Sequence, residues 1–95
     1  MFIRSQNRED LMQLDDISVC KRGDFPDIRS EFAVVCYRHG THCVLGEYST
    51  KEKAIKVLDM MQKKYLETTE ICQGDYAIRY VPRAIVFQMP QDNEV

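Results

Sequence analysis

The chain has 95 residues and a mass of 11.2 kDa, enough for one domain with one modest core. Hydrophobic residues are 44% and charged residues 29%, and 13 basic against 15 acidic side chains leave a formal charge of −2. That balance excludes the basic excess of a dedicated duplex-DNA binder, and no apolar run approaches the ~18 residues of a membrane span.

Met1 to Ser5 is apolar and strand-compatible, and it runs straight into polar residues, which does not read as an export signal. Gln6 to Asp10 reads as a loop. Leu11 to Arg22 alternates without a wholly apolar face, and Asp15-Asp16 splits it into two short strands. Gly23 to Asp27 is turn-rich.

The clearest strand signals are Phe32 to Tyr37 and Thr41 to Leu45, joined at His39-Gly40, where a tight turn accepts positive φ. The expected register pairs Val34 with Leu45, Val35 with Val44 and Cys36 with Cys43. Both thiols then share one face and His42 takes the other. Each face is apolar near its middle, so the hairpin is central or turns one face to a partner.

Ser49 and Glu52 have capping-box spacing and open a helix that runs to about Thr68. Ala54, Val57, Leu58, Met61 and Tyr65 form its core face. Ile55, Met60 and Leu66 flank that stripe, and Lys53, Lys56, Asp59, Lys63 and Lys64 cover the far side. Gln73-Gly74-Asp75 reads as a turn, and Tyr76 to Val81 alternates until Pro82 limits it to an edge or break. Ala84 to Phe87 is a last strand stopped by Pro90. The fold class is α+β: a small antiparallel sheet with a central hairpin and one amphipathic helix on a face, as a single domain over 1–90 with a polar tail at 91–95.

Chemistry is sparse. Cys20, Cys36, Cys43 and Cys72 include no CxxC, and a cytoplasmic chain keeps its thiols reduced; a cross-strand pair of Cys36 and Cys43 stays open. No metal site or cofactor is expected. His39 and His42 lie near no GxSxG or HExxH, and no P-loop or GxGxxG occurs. Asp15 and Asp16, and likewise His42 and Cys43, diverge as strand neighbours, so the expectation is a non-enzymatic protein. Two polar sets could hold a ligand. Arg4-Ser5-Gln6-Asn7-Arg8 follows the first strand, and Arg79-Tyr80-Val81-Pro82-Arg83 sets two guanidinium forks around an aromatic ring. The candidate ligand-binding residues are therefore Arg4, Gln6, Arg79, Tyr80 and Arg83.

Met1-Phe2-Ile3-Arg4-Ser5-Gln6, Leu45-Gly46-Glu47-Tyr48-Ser49-Thr50-Lys51-Glu52-Lys53-Ala54 with Val57-Leu58, and Phe87-Gln88-Met89-Pro90 together resemble a family of short uncharacterised proteins of Gram-positive bacteria and their phages. The resemblance implies a phage-linked, counter-defence setting. In that setting the expected function is sequestration of a nucleotide-type signal by a homo-oligomer, most simply a dimer, with the arginines on phosphate and Tyr80 on a base. The alternatives are a protein–protein inhibitor of a host defence nuclease, of anti-CRISPR type, and an accessory structural protein.

Overall fold

β-branched and aromatic residues set the strands of this chain, and one tight turn sets its central pairing. The structure, a computed structural model, describes residues 1–72 and 86–95, with the side chains of 1–67 and 86–95. The chain runs β1 (Phe2–Arg4), β2 (Leu11–Gln13), β3 (Asp16–Lys21), β4 (Phe32–Arg38), β5 (Thr41–Tyr48), α1 (Lys51–Cys72) and β6 (Val86–Gln88), then a 3-10 turn at Asp92–Glu94. This is the α+β fold the sequence predicts, with its strands divided between two three-stranded sheets. The expected turn at 73–75 and strand at 76–81 lie outside the described residues.

The larger sheet is an antiparallel meander in the order β3-β4-β5. His39 (φ 50°) and Gly40 (φ 79°) make the predicted two-residue turn. Thr41 Oγ1 closes it on the Arg38 carbonyl at 2.7 Å. Val35 faces Val44 and Cys36 faces Cys43 as expected, but Val34 faces Gly46 rather than Leu45. A bulge absorbs the extra residue. It shifts the alternation after Leu45, so that Tyr48 joins Leu45 and Val34 in the core on the α1 side while Glu47 turns outward to Arg29 and Ser30. The Asp15-Asp16 break between β2 and β3 is also as read.

The smaller sheet, β2-β1-β6, pairs the first strand antiparallel with β2 and parallel with β6. Its end bonds to the larger sheet where Gln6 N–H donates to the Leu45 carbonyl at 2.7 Å. α1 covers the inner face, and Ala54, Val57 and Met61 enter a core with Ile3, Val34, Cys36, Leu45, Tyr48 and Met89. Tyr65, expected on the core stripe, is 47% exposed, because it projects past the buried part of the sheet beside Leu14 and Ile17.

The helix start also departs from expectation. Thr50, not Ser49, is the cap: its Oγ1 accepts the Lys53 N–H at 3.2 Å. Ser49 donates both its N–H (2.8 Å) and its hydroxyl (3.1 Å) to Asp92 Oδ1. A carboxylate brought in from the end of the chain takes the residue that local spacing had assigned to the box. The five residues read as a tail are thereby tied down, and Val95 packs on the core.

Candidate functional site

The polar residues flagged near the N-terminus make hydrogen bonds within the fold. Arg4 lies on an exposed strand position, and its Nε (3.2 Å) and Nη2 (3.1 Å) both donate to the Arg8 carbonyl. Arg8 has φ 68°, so this fork braces a left-handed turn. Gln6 joins three segments. Its Nε2 donates to the Glu47 and Pro90 carbonyls, each at 3.1 Å, and its Oε1 accepts the Glu47 N–H at 2.8 Å. Tyr48 is fully buried, its hydroxyl donates to the same Pro90 carbonyl at 2.8 Å, and burial pushes the phenol well above its ordinary value. Gln88 Nε2 reaches the Ser5 carbonyl at 3.1 Å. The three stretches that carry the family resemblance thus meet in one knot. Arg79, Tyr80 and Arg83 lie outside the described residues.

The outer face of the larger sheet carries the next cluster. The loop between β3 and β4 folds across it. Phe25 stacks on His42 with ring centroids 4.0 Å apart and planes 20° off parallel, and leans on Tyr37 at 5.8 Å. His42 Nε2–H donates to both Asp27 oxygens at 3.0 and 3.1 Å, and this bond holds the Asp27 carboxyl below its ordinary value. Glu47 Oε1 accepts the N–H groups of Arg29 (2.6 Å) and Ser30 (2.8 Å). These contacts pin the loop to the sheet.

Three of the thiols lie among the described side chains. Cys20, Cys36 and Cys43 are free, and Cys36 and Cys43 do share the inner face while His42 sits on the other. Burial pushes the Cys36 and Cys43 thiols up, away from the reactive thiolate. Cys20 Sγ lies 3.2 Å from Tyr37 Oη, and that contact raises the phenol. No group of three potential metal ligands occurs among the described residues.

What remains is the outer flank of α1. Ile55 (42%), Met60 (39%) and Leu66 (49%) are the large apolar side chains it exposes besides Tyr65. An open groove of about 240 Å³ runs between α1 and the β2–β3 connection, lined by Leu14, Ile17, Leu58, Met61 and Tyr65. It meets a wider one of about 430 Å³ at Asp59, Gln62, Lys63, Leu66 and Glu67. The sequence marks Ile55, Met60 and Leu66 as flanks that make the apolar arc wider than one sheet contact needs, with a helix shared with a second subunit as the functional reading. Their width beyond that stripe was the available signal. Among the described residues no helix is long and apolar enough to cross a membrane. Compared with family models, curated proteins and solved structures, the chain matches none.

Proposed function

We propose that this chain is a non-enzymatic binding protein whose working contacts are with protein surface along the outer flank of α1. The observation that carries this is a contrast within the molecule. Among the described residues, His42 is committed to Asp27 and the buried thiols to the core, whereas Ile55 and Leu66 are exposed and Leu66 lines an open groove. A surface of that kind on so small a domain marks an interaction site. Protein contact is favoured over capture of a nucleotide because Gln6 spends both amide donors on the Glu47 and Pro90 carbonyls and the Arg4 fork is aimed at the Arg8 carbonyl. The counter-defence setting belongs to the resemblance, and a protein–protein inhibitor is the form of it that this surface suits.

The test is a photo-crosslinking residue in place of Gln62 on α1, with Arg29 on the opposite face as control. Expected are protein adducts from position 62, absent from position 29 and lost when Leu66→Glu is added. No adduct at position 62, with calorimetric heat on titrating a nucleotide, would replace this reading with the nucleotide one.

A further inference from the structure

The larger sheet ends in β3, and among the described residues no backbone group pairs with the outer edge of that strand. Arg22 N–H donates to the Glu31 carbonyl at 2.9 Å, so the even-numbered residues of β3 turn their backbone groups inward to β4. The odd-numbered ones turn theirs out. At Lys21 the following turn takes both: its N–H donates to Asp24 Oδ2 at 2.9 Å, and its carbonyl accepts the Asp24 N–H at 3.1 Å. Ile17 and Val19 keep theirs open. Their donors and acceptors, with Ser18 at the centre, make an edge that reads the same in both directions.

We infer that β3 pairs antiparallel with β3 of a second copy, about a two-fold axis at Ser18, and joins two three-stranded sheets into one. Both α1 helices then cover the same face of the joined sheet. This edge is separate from the outer flank of α1, and the inference does not rest on the reading proposed for that flank. Ile17 of each copy exchanges both backbone bonds with Val19 of the other, as an isologous contact requires. Charge selects this register. It sets Asp15 directly opposite Lys21 of the other copy, whereas an axis at Ile17 or Val19 sets Lys21 opposite Gln13 or Ile17. Asp15, Lys21 and Lys51 are all exposed. Lys51 lines the same small recess as Val19, Lys21 and Asp24, so the incoming Asp15 meets two ammonium groups and one carboxylate. No ion pair among the described residues engages either lysine. Arg38 and Glu31 stand one strand further in, each paired within its own chain, to Asp15 at 3.9 Å and to Arg22 at 3.2 Å. The apolar side agrees with the charges. Ile17 lines the open groove between α1 and the β2–β3 connection, and Val19 of the other copy arrives at its mouth.

Sedimentation equilibrium and residue-resolved amide exchange on the full chain test this together. Wild type is expected at twice the 11.2 kDa of one chain, with the Ile17 and Val19 amides protected in the dimer and exposed again on dilution. Asp15→Lys and Lys21→Glu should each weaken association by about tenfold or more, because symmetry applies each change twice and like charges then face each other across the strands. With both changes in one chain, opposite charges face each other again and the dimer should return. Circular dichroism of each variant checks that the fold persists; both positions are exposed. A wild type that stays monomeric overturns the inference. So does a dimer whose Ile17 and Val19 amides exchange as freely as those of a monomer, or one that is indifferent to the single changes. A double charge swap that fails to restore association overturns it as well.

Discussion

The ring of Tyr48 lies directly over Gly46. A Cβ built on Gly46 would stand 2.8 Å from the Tyr48 hydroxyl oxygen and 3.1 Å from a ring carbon. The hydroxyl cannot swing away, because the ring is fully buried and bonded to the Pro90 carbonyl. Gly46→Ala should therefore cost about 1–3 kcal/mol, the range of an overpacked core. Tyr48→Phe should cost about 0.5–1.5 kcal/mol for the lost hydrogen bond. The pair should couple, with Gly46→Ala cheaper in the Tyr48→Phe background, where the nearest atom is gone. Denaturant melts of the four proteins check this; strict additivity would show that the close approach is relieved some other way.

Gln6 bridges three segments. Gln6→Ala removes three hydrogen bonds between segments and should cost about 2–3 kcal/mol. Gln6→Glu should be worse, since it keeps the acceptor for Glu47 N–H but turns a carboxylate toward two carbonyl oxygens. Thermal unfolding gives the answer, and an unchanged midpoint in both would return Gln6 to the ligand candidates.

At the helix start, Thr50→Ala should lower stability by about 0.5–2 kcal/mol as an N-cap loss does. Ser49→Ala should cost less, because the Ser49 N–H still donates to Asp92. The reverse ranking in urea titrations would put the cap back at Ser49.

Two carboxyls make the fold acid-sensitive. The His42 hydrogen bond lowers Asp27, and the Ser49 N–H lowers Asp92. A carboxyl depressed in the folded state gives stability that is full above its unfolded value, ordinarily 3.8, and is lost as the pH falls below that through the folded value. Melting temperatures should accordingly drop on acidification below 3.8, and Asp27→Asn with Asp92→Asn should flatten that limb. If the double variant loses stability as steeply as wild type, other groups carry the acid response.

The hairpin was legible because its signal is local. His39-Gly40 dictates the turn, and the turn dictates the pairing as far as Val35 and Val44. The bulge beyond was not, since strict alternation puts Glu47 with Leu45, whereas the structure puts Tyr48 there. Ser49 and Thr50 are chemically alike as caps. What separates them is Asp92, bonded from 43 positions away. The same distance in sequence hid the role of Gln6. A polar residue after a strand looks like a free donor until the backbone of residue 90 arrives beside it. The α1 flank failed to stand out for a different reason: spacing marks a stripe but not how far the sheet reaches beneath it.

The pairing of β1 with β6 fixes an order of events in folding. The β4–β5 hairpin closes across two residues, a contact made on the microsecond scale of hairpins. Gln6 must wait for the Pro90 carbonyl, 84 positions along the chain. Loop entropy delays such contacts until the intervening chain has collapsed. The meander, α1 and the local β1–β2 pair can therefore form first, and the β1–β6 pairing closes last. In the reverse direction it is the natural place for opening to begin, so amides of β1 should exchange with solvent ahead of those in β4.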